Sequence, residues 1–397
     1  MTKQKIRVLR VANRLNIGGP TYNVCYLTKF LGVDFETLLI AGQEDTSEGS
    51  SLYIAQEMGL EPKIIPSMKR SIHPIRDRRA YKEVRKVIRD FKPHIVHTHA
   101  AKAGAIGRYA AYKEGVPLII HTYHGHVFHS YFSSLKTKVF LAIERYLGKK
   151  SHGLIAISPL QKKELSKTFK VAPASKFEIV SLGFNLDRFF INMDVKRAAF
   201  RNEWLIRDET LAIGVVGRLV PIKNHELFLH GFVRAKKNIT KNVQVYFIGD
   251  GEAKQPLMGL CTKLGLTFSS DPCPHSDIIF TSWIADVDRA LAGLDLVCLT
   301  SKNEGTPVSL IEASCAGKPF ISTNVGGIRD IVSDPSQGHV LEDNSIRSFE
   351  KALVKAVNLS NPGETVPMDV RKNVAERFGY KQLCSSMSEV YYRLLST

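Results

Sequence analysis

The sequence predicts an α/β chain built as two doubly wound domains in tandem. Three observations predict it. Short apolar runs rich in Val and Ile alternate with longer amphipathic stretches along the whole chain, the pattern of parallel sheets covered on both faces. The pattern restarts once, at Leu211. Each half opens on an apolar run that enters a glycine-containing turn, Asn16–Pro20 in the first and Gly217–Asn224 in the second, as doubly wound sheets do.

Taken in order, the strand candidates of the first half are Ile6–Ala12, Glu36–Ala41, Lys63–Pro66, Ile95–His99, Leu118–Thr122, Gly153–Ile157 and Glu178–Leu182. Helical periodicity fills the gaps at Tyr22–Leu31, Arg79–Phe91, Ala103–Lys113 and Thr137–Lys149. The second set runs Leu211–Val216, Val243–Ile248, Asp277–Thr281, Leu296–Thr300 and Pro319–Thr323, with helices at Asn224–Lys237, Val287–Ala292 and Pro307–Ala316. Thr267–Ser276 reads as a turn-rich loop, and Asn185–Arg207, charged and less periodic, as the boundary. The expected domains are residues 1–190 and 191–380. Lys381–Leu395 reads as a final helix through Leu383, Met387, Val390, Tyr391 and Leu394.

A length of 397 residues, 44 % hydrophobic and 23 % charged, is globular and excludes a coiled coil or a disordered tail. Lys and Arg number 55 against 38 Asp and Glu, a net charge of +17. That excess favours an anionic partner: phosphate, nucleic acid or an acidic membrane face. Nucleic acid is set aside because no surface module interleaves aromatic and basic residues. The six cysteines form no Cys-x-x-Cys pair, which reads as reduced thiols in a cytoplasmic protein. The N-terminus carries no secretory h-region, and no stretch reaches about 18 apolar residues, so any membrane role is peripheral.

Ligands of doubly wound sheets bind beyond the carboxyl ends of the strands, and two sheets make a cleft between them the expected site. Five segments stand at strand ends. Asn16–Pro20 holds Gly18 and Gly19, where backbone can approach an anion at a helix start. It is not Gly-x-Gly-x-x-Gly, so a dinucleotide site is not indicated. In His97-Thr-His99 the two imidazoles point the same way along a strand. No Asp, Glu or Cys completes a metal set there, and Lys102 reads as a phosphate contact. His121-Thr-Tyr-His124-Gly-His126, with His129 close behind, puts an imidazole where it can orient or donate to a substrate, and His124 is the candidate. Gly217-Arg218 and Lys223-Asn224 place two cations in a loop entering a helix, a clamp for a diphosphate leaving group.

The fifth segment is the most specific. Asn303-Glu304-Gly305-Thr306-Pro307-Val308 leads into a helix that carries Glu312. Thr306 is expected as N-cap and Pro307 as first helical residue, leaving backbone N–H groups for phosphate. Ionised Glu304 and Glu312 are acceptors only, so each can take two sugar hydroxyls.

These segments, with Asn324–Val332 (NVGGIRDIV), resemble the GT-B-fold retaining glycosyltransferases of family 4, and the resemblance covers nearly the whole chain. The HTHxxKAG and NEGTP forms look most like bacterial enzymes that extend lipid-linked or surface polysaccharide glycans. The resemblance implies two Rossmann-like domains facing a cleft, with the final helix, residues 381–397, crossing back onto the first. It implies a nucleotide-sugar donor, UDP first and GDP second, and no required metal. Arg218 and Lys223 would grip the diphosphate, with Gly217, Asn303, Gly305, Thr306, Pro307 and Val308 around it and Gly18 and Gly19 closing from the other domain. Glu304 would contact the transferred sugar, Glu312 the ribose, and His124 the reacting sugar, with His99 and Lys102 on the acceptor side. Ser282-Trp283 departs from the small or glycine residue usual after that strand. A nucleotide-sugar epimerase or a glycoside phosphorylase would share the fold.

Lys63–Lys92 holds eleven basic residues against Asp77, Glu83 and Asp90. Ser134–Lys150 sets Lys136, Lys138, Arg145, Lys149 and Lys150 around Val139, Phe140, Leu141 and Ile143. Both surfaces are expected to face an anionic membrane and a lipid-diphosphate acceptor, which puts the protein in the cytoplasm or on the inner membrane face. A merely solvated basic face is the alternative.

Overall fold

A computed structural model describes residues 4–15, 19–43, 52–69, 71–125 and 134–396, with side chains of the last stretch from 137 onward. Gly18, His126 and His129 therefore lie outside the described residues. The chain divides into two compact units, residues 1–184 with 378–397, and residues 185–377.

In the first unit the strands are β1 (Ile6–Ala12), β2 (Phe35–Gly42), β3 (Lys63–Ile65), β4 (Ile95–His99), β5 (Leu118–Tyr123), β6 (Gly153–Ala156) and β7 (Phe177–Ile179). Their order is β3-β2-β1-β4-β5-β6-β7, and every pairing is parallel. β4, β5 and β6 are buried along their whole length: each carries an apolar run, Ile95-Val96, Leu118–Ile120 and Leu154–Ala156, and in β4 and β5 buried His and Thr follow it. The helices are α1 (Gly19–Lys29), α2 (Leu52–Glu57), α3 (Pro74–Phe91), α4 (Ala101–Lys113), α5 (Ser134–Lys150) and α6 (Pro159–Lys163). α3 starts five residues before the expected Arg79 because Pro74 fixes its first turn and the His73 ring accepts the Arg76 amide.

The second unit repeats the plan with α7 (Met193–Glu203), β8 (Leu211–Val216), α8 (His225–Lys236), β9 (Val243–Ile248), α9 (Lys254–Lys263), β10 (Phe268–Ser269), β11 (Ile278–Ser282), α10 (Val287–Gly293), β12 (Leu296–Leu299), α11 (Val308–Cys315), β13 (Phe320–Ser322), β14 (Gly338–Val340), α12 (Ile346–Leu359) and α13 (Met368–Arg377). The strand order is β10-β11-β9-β8-β12-β13-β14. Phe228, Phe232, Phe247, Phe280 and Phe349, all fully buried, fill its core with Ile213, Val215 and Leu353.

α14 (Tyr380–Leu395) belongs to the first unit. Leu383, Cys384, Met387, Val390 and Tyr391 pack with Val8, Leu27, Ile95, Leu118 and Ile155. The hydrophobic spacing of Lys381–Leu395 marks these inward positions. Phe184 N donates to Phe378 O, and Tyr380 N donates to Phe184 O. The chain changes unit at Phe184, ahead of the expected residue 190, because Asn185–Phe190 docks on the second unit. Phe189 is fully buried there and its carbonyl accepts from Arg371 Nη2 at 3.1 Å. The stretch expected as an irregular boundary instead holds α7, whose Phe200 packs on Trp204 and Tyr246. No helix among the described residues is long and apolar enough to cross a membrane.

Candidate functional site

At the carboxyl end of the second sheet, β8 runs into Gly217-Arg218. Gly217 N bonds Ile248 O and Leu219 N bonds Asp250 O, so the loop after β8 is tied to the one after β9. Arg218 projects to solvent. The turn ends on Lys223, whose Nζ donates to Glu304 Oε1 at 2.5 Å. Ser301 Oγ donates to the same oxygen at 2.6 Å, and Lys302 N bonds Ile222 O at 2.9 Å. The cation loop and the acidic loop therefore form one piece, and both Lys223 and Glu304 keep only a small exposed fraction.

The NVGG segment braces this turn from behind. Gly327 N donates to Gly305 O at 2.6 Å. Gly326 adopts φ +58, and a Cβ there would stand 2.0 Å from the Glu304 carbonyl oxygen, so no other residue fits. Asn303, Glu304 and Gly305 are half-buried, while Thr306 and Pro307 are buried.

The helix start differs from the expectation. Pro307, not Thr306, is the N-cap, with extended backbone (φ −72, ψ 117), and α11 begins at Val308. Proline has no side-chain acceptor, so the Val308 and Ser309 amides find none among the described residues. Thr306 Oγ1 is also buried without a partner. Three donors at one helix start are thus without an acceptor among the described residues.

Inside α11, Glu312 lies beside Arg188, Nη2 to Oε1 3.3 Å. Burial pushes its carboxyl up to about 7, with Arg188 opposing the shift and Asp288 adding to it. Glu312 is therefore not the plainly ionised acceptor the sequence suggests. Arg188 also faces Asp288 at 3.8 Å, and Lys196 Nζ bonds Asp288 at 2.8 Å. Sequence reasoning missed this set: Arg188 and Lys196 fall in the segment taken as boundary, and nothing local points 124 positions along the chain.

At the end of β11, Ser282 stands at φ +58, where glycine is usual. Its hydroxyl bonds Asp250 Oδ2 at 2.8 Å and accepts from Lys254 Nζ at 2.7 Å, which holds that conformation. Trp283 follows, 57 % exposed.

In the first unit, β4 and β5 end together. His99 is buried and its Nδ1 lies 3.0 Å from Nε2 of half-buried His124. Burial pushes His124 down to about 4. Gly104 lets α4 approach His121, since a Cβ would meet that ring at 2.4 Å. Lys102, expected at a phosphate, has two partners at the start of α3: its Nζ donates to Ser71 O at 2.6 Å and pairs with Asp77 at 2.5 Å. Gly19 opens α1. No group of three or more His, Cys, Asp or Glu among the described residues is placed to hold a metal.

Two family patterns match the chain. "Glycosyltransferase Family 4" matches residues 28–188 and "Glycosyl transferases group 1" matches residues 196–376. The chain belongs to the GT-B glycosyltransferases of the family 4 type. The glycosyltransferase is 29 % identical over 300 residues to the UDP-Gal:alpha-D-GlcNAc-diphosphoundecaprenol alpha-1,3-galactosyltransferase of Escherichia coli, covering 74 % of each. It is 25 % identical over 337 residues to the capsular polysaccharide biosynthesis glycosyltransferase CapM of Staphylococcus aureus, covering 84 % of this chain and 85 % of that one. Its fold is that of a glycosyltransferase from Rickettsia africae, with TM-score 0.79 at 17 % identity and full coverage of both chains. HepE of Anabaena in complex with UDP and glucose also gives 0.79, at 15 % identity over 98 % of this chain and 100 % of that one.

Proposed function

We propose that this glycosyltransferase moves a hexosyl group from a UDP-sugar to a hydroxyl of a lipid-diphosphate-linked glycan, with retention of configuration, in cell-surface polysaccharide synthesis. The observation that carries the reading is the likeness to the E. coli enzyme, whose name gives UDP-Gal as donor and a diphosphoundecaprenol-linked sugar as acceptor.

Each residue has a role in this reading. Arg218 and Lys223 grip the diphosphate, and the Val308 and Ser309 amides with the Thr306 hydroxyl take its remaining oxygens. Gly217, Asn303, Gly305 and Pro307 shape that turn, and Gly18 and Gly19 are also assigned to the donor. Glu312 accepts from the ribose, Glu304 from the transferred sugar, and His124 contacts the reacting sugar. His99 and Lys102 stand on the acceptor side. An ammonium has three donors, so Lys223 can serve Glu304 and a phosphate oxygen together. The acceptor hydroxyl attacks the anomeric carbon from the face the diphosphate leaves. The carbon–phosphate oxygen bond breaks as the new glycosidic bond forms, and the departing oxygen takes the acceptor proton. Arg218 and Lys223 stabilise charge that develops on the leaving group, so the reading requires no metal. The enzyme works at the inner face of an anionic membrane, where its acceptor is anchored, and uses no nucleic acid.

A thermal-shift panel with UDP, GDP, ADP and their sugar conjugates tests the donor. A bound ligand stabilises by RT ln(1 + [L]/Kd), about 2.7 kcal/mol at a hundredfold excess over Kd. The expected result is a shift with UDP and UDP-sugars that is lost in Glu312→Ala. No shift with any nucleotide overturns the donor reading.

A further inference from the structure

The ends of β4 and β5 bring three imidazoles together, His97, His99 and His124, while His121 lies on the other face of the sheet with Thr98. One tautomer there is fixed outright. Arg10 Nη1 donates to His97 Nδ1 at 3.1 Å. The Tyr391 hydroxyl accepts from the same Nη1 at 3.1 Å and lies 2.5 Å from His97 Nδ1. A guanidinium only donates, so Nδ1 is an acceptor and the His97 proton sits on Nε2, which donates to Thr122 Oγ1 at 2.7 Å.

His99 stacks on this locked ring, with centroids 4.3 Å apart. Its Nδ1 and His124 Nε2, 3.0 Å apart, share one proton if both rings are neutral. Burial holds both below the usual imidazole range, and the fully buried Arg10, which forms no ion pair among the described residues, adds to the effect on His99. The two outer nitrogens, His99 Nε2 and His124 Nδ1, are buried and have no partner among the described residues. The residue after His99, Ala100, stands at φ +64, a conformation side chains rarely adopt and one that collects at functional sites.

The proton has two possible places. Either placement leaves one outer N–H without an acceptor among the described residues, so the choice rests on which ring bears it. If His124 Nε2 carries it, His99 must carry its own on Nε2, an N–H without an acceptor among the described residues, on a ring 2 % exposed and in the field of Arg10. If His99 Nδ1 carries it, His99 Nε2 keeps a lone pair and the His124 proton moves to Nδ1, so the one N–H left without an acceptor among the described residues sits on the half-buried ring and not on the fully buried one in the field of Arg10. We propose that His99 is a positioning residue: its Nδ1–H donates to His124 Nε2 and thereby fixes the His124 proton on Nδ1, so that His124 meets a substrate sugar as a hydrogen-bond donor. The acceptor it fits is a sugar hydroxyl oxygen. The inference rests on the proposed role of His124 at the reacting sugar and gives it a direction.

Nitrogen-15 NMR of the imidazoles in the ligand-free protein tests it, with His124→Gln to assign the signals. The wild type should show His124 protonated at Nδ1 and bare at Nε2. An asparagine amide can donate where Nδ1–H did, so His99→Asn should keep this tautomer, while His99→Leu should release His124 to Nε2–H. In transfer assays His99→Leu should lose kcat by roughly 10–100-fold with the donor KM little changed, and His99→Asn should recover most of it, as groups that hold a tautomer do. A wild-type His124 protonated at Nε2, or one unmoved by His99→Leu, overturns the proposal. Unchanged kcat in His99→Leu overturns the positioning role even where the tautomer is as stated. A wild type with the expected tautomer but no transfer from any UDP-sugar would instead count against the function proposed above.

Discussion

Arg188 Nη2 lies 3.3 Å from Glu312 Oε1, and this contact is the main local force opposing the burial that lifts the Glu312 carboxyl to about 7. A protonated carboxyl loses acceptor capacity. Affinity for a UDP-sugar, whose diphosphate diester holds a fixed charge, should therefore rise as pH goes up through about 7 and then level off. Calorimetric titration between pH 5.5 and 8.5 reads this. The rise should vanish in Glu312→Gln and move to higher pH in Arg188→Met. Stability should run the other way. The folded value lies above the ordinary 4.5. The contribution is therefore present in full below about 4.5 and lost as pH climbs through about 7. A wild-type affinity flat across this window would show that Glu312 does not bind the donor in its ionised form.

Lys223 and Glu304 hold each other at 2.5 Å in the free enzyme, so each substitution disturbs the other. Lys223→Met should lower kcat by on the order of 10²–10³, the usual effect of removing one stabiliser of transition-state charge. Glu304→Gln keeps an amide oxygen that can accept from Lys223 but loses the charge that pairs with it, so it should act on the sugar and, more weakly, on the Lys223 grip. The double variant should cost less than the product of the two singles, because the pair acts as a unit. Single-turnover kinetics with saturating donor gives the comparison. A Lys223→Met enzyme that changes only KM would make Lys223 a ground-state grip.

Which parts were legible in the sequence follows from what each residue needs. β4, β8 and β9 fall where the sequence puts them, at Ile95–His99, Leu211–Val216 and Val243–Ile248: β8 is an unbroken apolar run, as a strand buried on both faces writes, while β9 is interrupted by Gln244 and β4 opens on Ile95-Val96 and ends on buried His and Thr. β10 and β14, two and three residues long, are too short to show a period, and so went unseen. The Asn303–Glu312 turn and helix were legible because every signal is local. The exact cap was not: whether Thr306 or Pro307 opens α11 depends on the ψ of Pro307, which is 117 in the fold and which no local signal fixes. Arg188 was invisible for the same reason. Its partners Glu312 and Asp288 are supplied by the fold alone.

Arg108 in α4 is fully buried and makes two 2.8 Å bonds to Glu144 in α5, and the Tyr123 hydroxyl adds a third to Glu144 at 2.7 Å. Tyr123 immediately precedes His124, so the pair also anchors the end of β5. Glu144→Leu leaves a buried guanidinium unpaired and should destabilise by about 3–5 kcal/mol. Arg108→Met with Glu144→Leu should recover part of that, because two apolar side chains need no partner and only the Tyr123 hydroxyl is left without its acceptor. Urea unfolding with unchanged slope measures both. A double variant as unstable as the single one would mean that the cost is packing and not charge.

The basic residues of α3 gather on one exposed face of the first unit. On α3, Arg78, Arg79, Lys82, Lys86 and Arg89 are exposed while Ala80, Val84, Val87 and Ile88 turn inward, so the charge forms a stripe. Ile72 and Ile75 at its start are 70 % and 77 % exposed, and on α5 Val139 and Ile143 are 54 % and 42 % exposed. Exposed apolar side chains beside a cationic stripe suit insertion at an anionic lipid surface. Sedimentation with phosphatidylglycerol vesicles should show binding at low salt and release at high salt, and zwitterionic vesicles should bind weakly. Each cation near such a surface is worth roughly fivefold in binding, so Lys82→Ala, Lys86→Ala and Arg89→Ala together should weaken it by about a hundredfold. Turnover of a soluble short-chain acceptor by this triple variant should stay near wild type, since none of the three lies at the end of β4 or β5. Absence of binding to anionic vesicles at low salt would leave the stripe a solvated face and move the source of acceptor specificity elsewhere.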